Sequence, residues 1–177
     1  MIVTVTLNAA LDRSLTVPIF KLGHRHRASS VLALAGGKGI NVARALKRLD
    51  VPVVATGLAG GRTGTWIVEE LTEEAILNDF VRIRDESRTS TAVVDPTSGT
   101  YTEINEWGPK VSGDELEILL DKLRYLSRGA STVVFAGGRL IARTPLVAAS
   151  SVPTVGVAGK VSWYARHTVH HLAGLVS

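Results

Sequence analysis

The strongest constraint on the fold is the alternation of short β-branched segments with longer amphipathic segments over the first two-thirds of the chain. The β-branched segments are typical of buried strands and lie at Ile2–Leu7, Pro52–Leu58 and Thr132–Ala136. The amphipathic segments carry apolar residues at helical spacing and begin at Ile40, Thr63 and Asp114. Strands that alternate with helices pack as a parallel sheet covered by those helices. The sequence therefore predicts an α/β protein.

A second group of segments predicts a small antiparallel β lid inserted into that frame. Residues 16–35 mix apolar residues with turn formers and a basic cluster, and they predict short, half-exposed strands. Thr89–Val94 and Thr100–Asn105 alternate in character on either side of a Pro-Thr-Ser-Gly sequence at 96–99. Because this sequence is strong turn chemistry, the two segments are predicted to form a hairpin. Asp79–Arg84 is predicted to be a further strand.

Composition excludes several classes of protein. The chain of 177 residues is 45% hydrophobic and 20% charged, which predicts a packed core rather than intrinsic disorder. It has no cysteine, so disulfide scaffolds, cysteine-ligated zinc sites and thiol nucleophiles are excluded. No apolar run is long enough to span a membrane, and the N-terminus lacks the basic region of a signal peptide. We therefore expect a cytoplasmic protein without a membrane partner.

The charge distribution argues against nucleic-acid binding. The net charge of +4 and the sequence pI near 9.7 favour a nucleic-acid partner at first sight. However, residues 122–177 owe their positive charge to an absence of Asp and Glu, and their Lys and Arg residues are sparse. Nucleic-acid-binding proteins cluster basic residues densely on one face. We expect no nucleic-acid partner, and a nucleic-acid-binding tail after residue 139 stays as an alternative.

A glycine cluster with the sequence Ala-Gly-Gly-Lys-Gly-Ile-Asn at 35–41 opens the first predicted helix. Glycines allow backbone N–H groups to approach a ligand, and a helix N-terminus carries partial positive charge, so the cluster is a candidate anion site. Lys38 adds a full charge to it. The cluster is not a Walker A loop, because no Ser or Thr follows the Gly-Lys pair. The alternative is a tight strand-to-helix turn that needs glycine for steric reasons.

Other candidate residues are weaker when taken one at a time. Arg25, Arg27 and Arg88 can match a phosphate with paired hydrogen bonds, although each alone is typical of an ordinary surface cation. Asp12 closely follows the first strand, where ligand clefts of α/β folds lie, and the alternative is a loop or N-cap residue.

Metal and hydrolase chemistry have little support in the sequence. His167 and His171 are spaced to share a helix face, but no carboxylate lies near them, which favours unmetallated surface histidines. No Gly-x-Ser-x-Gly sequence is present to indicate a hydrolase nucleophile.

Five segments together are similar to one family, in that family's order and spacing. They are TLNAALD at 6–12, AGGKGINVARALKRL at 35–49, TGLAGGRTG at 56–64, SRTSTAVVDPTSGTYTEINEWGP at 87–109 and VVFAGG at 133–138. On these segments the chain resembles the PfkB-type (ribokinase-like) sugar kinases, in the branch of 1-phosphofructokinase and tagatose-6-phosphate kinase. The resemblance covers about residues 1–138.

The resemblance implies a Rossmann-like, ribokinase-type parallel sheet, of which the chain holds the N-terminal part. It also implies a small β-sheet lid, with strands within 16–35 and 89–105, that joins two copies of the chain as a homodimer. Asp12 and Asn41 would bind sugar hydroxyl groups. The Gly36-Gly37 pair would allow the lid to close against the sugar.

The same resemblance implies how a phosphorylated ketohexose would be held. Arg27 and Arg88, with Lys38 or Arg25, would bind the phosphate already on the substrate. The implied reaction is the ATP-dependent conversion of fructose 1-phosphate to fructose 1,6-bisphosphate, with tagatose 6-phosphate as the alternative substrate. A non-catalytic sugar-phosphate-binding protein is the alternative function.

The resemblance implies ATP and Mg²⁺ as cofactors, but the sequence lacks the segments that serve them. The family carries an Asn-x-x-Glu segment tied to Mg²⁺ and a Gly-Ala-Gly-Asp motif whose Asp is the general base. This chain has no Gly-Ala-Gly-Asp and no acidic residue after Asp121. We therefore predict no catalytic residue and no metal ligand in it, and expect it to be inactive as a fragment.

The similarity is expected to end near residue 138. Gly138 stands where the family has a Ser that helps to hold the substrate phosphate. Residues 1–138 are thus predicted to be the N-terminal part of a kinase domain, and residues 139–177 a divergent tail, frame-shifted or otherwise unrelated.

Overall fold

The computed structural model describes residues 1–136 and the backbone of residues 141–142, and its strands and helices alternate as the sequence predicts. In chain order the elements are β1 (Ile2–Thr6), β2 (Ala10–Thr16), β3 (Ser30–Gly36), α1 (Lys38–Arg48), β4 (Val53–Gly60), α2 (Gly61–Glu73), β5 (Leu77–Ile83), β6 (Arg88–Asp95), β7 (Thr100–Asn105), β8 (Lys110–Val111), α3 (Gly113–Ser127), β9 (Thr132–Phe135) and β10 (Ile141–Ala142). The predicted tail 139–177 and the histidines at 167 and 171 lie outside the described residues, apart from the backbone of β10.

Four parallel strands form the central sheet in the order β5-β4-β1-β9. Ile2 of β1 is in register with Val53 of β4 on one side and with Thr132 of β9 on the other. β1 is buried almost throughout because it lies inside the sheet and is covered on both faces. The α/β fold predicted from the sequence is therefore confirmed.

Helices cover both faces of the central sheet and divide the core into two clusters. Alternate residues of β1, such as Val3 and Val5, belong to the cluster that includes the leucine stripe of α3. The other cluster joins α1 and α2 to the sheet through residues such as Ile40 and Ile67. Burial of each large apolar side chain contributes roughly 1.5–3 kcal/mol to folding. These two clusters hold the carboxyl ends of the central strands in fixed positions.

The small sheet is mixed, so the prediction of an antiparallel lid is wrong. Its order is β3-β2-β6-β7, and β2 is antiparallel to β3 but parallel to β6. The reason is that β1 and β5 run parallel in the central sheet and end at the same edge. The strands that follow them, β2 and β6, therefore leave in the same direction. The predicted hairpin is present, since β6 and β7 pair antiparallel around residues 96–99.

The first strand of the small sheet lies earlier in the chain than expected. Of the segment 16–35, residues 30–35 are in β3, whereas residues 17–29 form no strand. The partner of β3 is β2, which precedes that segment almost entirely. Asp12 accordingly lies in the middle of a strand, and not in a loop or at a helix N-cap.

Candidate functional site

A cavity of about 460 Å³ lies between one face of the small sheet and the carboxyl end of β1. Alternate residues of the four small-sheet strands line it, together with Arg13 of β2 and the start of α1. The lining residues from the small sheet include Asp12, Ser14, Leu32, Leu34, Arg88, Ser90, Ala92, Tyr101, Glu103 and Asn105. Because strand side chains alternate between faces, this pattern identifies one entire face of the small sheet as the cavity wall. Ligands of open α/β sheets bind at this end of the strands.

Five of the eight residues predicted from the sequence line this one cavity. They are Asp12, Gly37, Lys38, Asn41 and Arg88. Gly36 lies directly behind them against the Asp12 carboxyl group. Arg25 and Arg27 are exposed in the segment between β2 and β3 and are not among the lining residues. A role of Arg25 or Arg27 in phosphate binding therefore stays a prediction.

The two glycines at the end of β3 allow the backbone to pass close to other groups of the site. A Cβ atom on Gly36 would lie 2.1 Å from Asp12 Oδ2. Gly37 has a φ of +127°, which L side chains rarely adopt, and a Cβ atom there would lie 2.5 Å from Thr6 Cγ2. Gly37 therefore needs glycine for steric reasons, whereas a side chain at Gly36 would displace the end of the Asp12 side chain. The close approach at both positions places Asp12 and the start of α1 on one cavity.

Asp12 has an altered affinity for protons. Its burial raises the pKa of the carboxyl group, and the nearby Glu103 carboxylate raises it further. The guanidinium groups of Arg88 and Arg44 act in the opposite direction, but the net pKa is raised. A carboxylate with a raised pKa accepts hydrogen bonds strongly, which suits it to the hydroxyl group of a ligand.

Three polar atoms of the cavity wall are buried without a hydrogen-bond partner. They are Thr6 Oγ1, Asn8 Oδ1 and Arg88 Nε. Arg88 also donates from Nη1 to Asn105 Oδ1 at 3.2 Å, which holds its guanidinium group across the hairpin. Buried polar atoms in native proteins are almost always paired. A fourth unpaired atom, Thr4 Oγ1, is not on this cavity wall, whereas these three are at a place where a polar ligand or a water molecule can pair with them.

Several cavity residues were missed by the sequence analysis. Glu103 lines the cavity beside Asp12 and accepts a hydrogen bond from Ser90 Oγ at 3.1 Å. The pairs Ser90–Asn105 and Ala92–Glu103 stand opposite each other in the β6–β7 ladder. The signal that could have found them is the period of two: residues 101, 103 and 105 share the face of residues 88, 90 and 92.

Within residues 1–136 no group of three or more His, Asp or Glu side chains could hold a metal ion. Mg²⁺ prefers an octahedral set of oxygen ligands that includes carboxylates.

None of the three described helices is long and apolar enough to cross a membrane.

A parallel α/β sheet with a polar cavity at the carboxyl ends of its strands, closed by a smaller sheet, defines a small-molecule-binding domain of the doubly wound class. The family model of the pfkB family carbohydrate kinases matches residues 4–156. The chain belongs to this family. The match continues past residue 138, the position at which the sequence analysis expects the similarity to end.

Relatives of the chain include 1-phosphofructokinases and phosphofructokinase-2. The 1-phosphofructokinase of Borreliella burgdorferi is 38% identical over 137 residues, which are 77% of this chain and 44% of that protein. The crystal structure of a possible 1-phosphofructokinase from Thermotoga maritima has a TM-score of 0.73 at 37% identity, over 78% of this chain and 45% of that one. The crystal structure of Escherichia coli phosphofructokinase-2 in complex with fructose-6-phosphate has a TM-score of 0.72 at 30% identity, over 77% of this chain and 45% of that one.

The chain thus spans less than half of the length of these relatives. The ribokinase of Giardia lamblia, at 23% identity and a TM-score of 0.60, shares the fold. The ribokinase-type architecture predicted from the sequence is therefore confirmed for the N-terminal part of the fold.

Proposed function

We propose that this chain forms the phosphosugar-binding part of a 1-phosphofructokinase-like kinase, with fructose 1-phosphate as the ligand. The observation that carries the proposal is the set of three unpaired buried polar atoms on one cavity, beside the carboxyl group of Asp12 and the charge of Lys38. Tagatose 6-phosphate is the alternative ligand, since it offers the same kinds of group.

The cavity has both of the features that a sugar phosphate requires. Lys38 and Arg88 supply positive charge, and the N-terminus of α1 adds the partial charge of its free N–H groups, which suits the phosphate ester. Asp12, Asn41 and Glu103 supply hydrogen-bonding groups for hydroxyls. Arg25 and Arg27 would add to the phosphate end if the segment 17–29 closed over the ligand.

The proposed reaction transfers the γ-phosphoryl group of ATP to the free primary hydroxyl of fructose 1-phosphate, giving fructose 1,6-bisphosphate and ADP. Phosphoryl transfer of this kind depends on positioning, on a metal ion and on a base that takes the hydroxyl proton. The described residues supply positioning, but the chain has no Gly-Ala-Gly-Asp segment and no acidic residue after Asp121. The chain alone is therefore expected to bind the sugar phosphate without turning it over.

Isothermal titration with fructose 1-phosphate tests this proposal. Wild-type protein is expected to bind saturably, and Arg88→Ala should weaken the affinity by roughly tenfold or more, because a charged hydrogen-bond donor is lost. Arg124→Ala is the matched control, since Arg124 is a surface guanidinium that pairs with Asp121 of the same helix and does not line the cavity. No saturable binding by the wild type, or equal affinities of Arg88→Ala and wild type, would refute the proposal.

A second function, that of a non-catalytic sugar-phosphate-binding protein, would need only the binding residues that line the cavity. A coupled kinase assay with Mg-ATP tests whether the chain itself turns the sugar phosphate over. Binding without turnover by the purified chain agrees both with this second function and with a role as the sugar-binding part of a kinase. Turnover above the blank would show that residues outside the described part supply the missing groups.

We also propose that the small sheet joins two copies of the chain. On the face away from the cavity it carries the exposed apolar side chains of Val31 and Ile104, while Leu32 and Tyr101 are exposed on the cavity face. Such residues on one small sheet are typical of a protein interface. Sedimentation analysis is expected to show a dimer that Ile104→Asp converts to a monomer. A monomeric wild type at high concentration would contradict this.

A further inference from the structure

Arg44 of α1 lies at the centre of a hydrogen-bonded cluster behind the cavity. Its Nε and Nη2 atoms donate to the two carboxylate oxygens of Glu74, at 2.7 and 2.5 Å. Its Nη1 atom donates to Ala35 O at 2.5 Å and to Asn41 Oδ1 at 3.2 Å. A guanidinium group held by two parallel bonds to one carboxylate has a fixed plane. The direction of its third nitrogen is therefore also fixed.

The same cluster holds the last residue of the small sheet before the glycine pair. Ala35 N donates to Glu70 Oε2 at 2.7 Å, while Ala35 O accepts from Arg44. β3 is an edge strand of the small sheet. The outward backbone groups of an edge strand are ordinarily left to solvent. Here side chains from α1 and α2 bind both of them, so the small sheet is fixed to the helices at Ala35.

Arg44 also determines which end of the Asn41 amide faces the cavity. A guanidinium group has only donors, so the amide atom that faces Arg44 must be the oxygen. The NH₂ group of Asn41 is then left to donate to a ligand. Asp12, which lines the same cavity, has a carboxylate group that accepts hydrogen bonds. One hydroxyl group of a sugar can donate to Asp12 and accept from Asn41 only when the amide has this orientation.

We propose that Arg44 is a positioning residue, which orients the Asn41 amide as a donor towards the ligand and, with Glu70 and Glu74, fixes the small sheet at Ala35. The ligand part of this proposal rests on the proposed function. The orientation of the amide does not rest on it, because it follows from contacts within the ligand-free protein.

The first measurement is made without ligand. In ¹H–¹⁵N spectra of the full chain, the Asn41 side-chain amide is assigned by its loss in Asn41→Ala. Arg44→Met is expected to move this signal and to speed hydrogen exchange at the Ala35 amide. Lys122→Met is the matched control, because it breaks an ion pair with Asp79, which is not part of the cluster. An unmoved Asn41 signal in Arg44→Met would overturn the proposal.

The second measurement titrates fructose 1-phosphate and, separately, inorganic phosphate. Arg44→Met and Asn41→Ala should each weaken the affinity for fructose 1-phosphate by roughly tenfold. The double variant should bind no more weakly than either single variant, because both substitutions remove the same interaction. Their affinity for inorganic phosphate should be unchanged. Losses that multiply in the double variant, or an equal loss for inorganic phosphate, would show a general structural defect and overturn the positioning role.

If Arg44→Met does not fold, Arg44→Lys retains the charge but not the paired geometry, and the same results are expected of it. If the wild type binds no sugar phosphate, the proposed function fails, while the Asn41 signal still supports or overturns the orientation of the amide.

Discussion

The adjacent glycines Gly36 and Gly37 are expected to respond in opposite ways to replacement by alanine. In Gly36→Ala the new Cβ atom meets the end of the Asp12 side chain, at 2.1 Å from Oδ2 and 2.2 Å from Cγ. Asp12 can rotate away at a cost of about 0.5–1.5 kcal/mol. Alanine in a strand recovers roughly 0.5–1 kcal/mol relative to glycine. The free energy of unfolding should therefore change by no more than about 1 kcal/mol.

Ligand binding by Gly36→Ala should suffer far more than its stability. The displaced Asp12 carboxylate loses a charged hydrogen bond to the ligand, which is worth about 1.5–3 kcal/mol. That corresponds to an affinity for fructose 1-phosphate roughly ten to a hundred times weaker. Isothermal titration measures this change directly.

Gly37→Ala should show the reverse pattern in urea unfolding. Its φ of +127° is costly for alanine, and the new Cβ atom would lie 2.5 Å from the buried Thr6 methyl group. Strain of this kind costs about 1–3 kcal/mol, and the clash adds to it. Gly129→Ala is the control, because among the described residues its Cβ atom would meet Met1 Cε alone, at 3.7 Å. Wild-type affinity in Gly36→Ala, or wild-type stability in Gly37→Ala, would refute the reasoning.

Three further predictions concern stability. Ala75 is exposed just after α2 and has a φ of 51°, which glycine adopts more easily than alanine. Ala75→Gly should therefore raise the free energy of unfolding by about 0.5–1 kcal/mol, and a lower urea midpoint would contradict this. Leu119→Ala, at a fully buried position of α3, should lower the free energy of unfolding by about 2–5 kcal/mol in the same assay. A loss below about 1 kcal/mol would mean that the core fills the space left by the leucine side chain. Burial raises the pKa of Asp95, but hydrogen bonds from Ser98 Oγ and from the backbone of residues 97, 20 and 19 outweigh it, so the net pKa is lowered from 3.8. The ionised carboxyl group therefore stabilises the fold above about pH 4 and loses this effect on acidification. The urea midpoint of the wild type should fall more steeply below about pH 4 than that of Asp95→Asn, and parallel curves would count against this role.

The elements that the sequence predicts well are those whose burial follows a simple period. β1 and α3 are examples, because a strand covered on both faces and a leucine stripe leave clear patterns. β2 was missed because Asp12, Arg13 and Ser14 interrupt its apolar character. All three polar residues line the cavity, so the polar character of the candidate site obscured the signal of the strand.

The candidate site was predictable where local chemistry singles out a residue. Lys38 and Asn41 stand on a glycine-rich helix start, and the family resemblance assigned Asp12 and Arg88. Glu103 was not predicted, because its proximity to Asp12 depends on the pairing of distant strands. The role of Arg44 was not predicted for the same reason, since its partners are contributed by α1, α2 and β3.

The parallel ladder between β2 and β6 has a consequence for protein engineering. It pairs Ala10 with Arg88 and Thr16 with Val94, so two stretches far apart in the chain form one small sheet. A cover for the cavity cannot be transplanted into another scaffold as one contiguous insertion. Both stretches must be exchanged together, and each must keep the register that the β4–α2–β5 unit between them imposes.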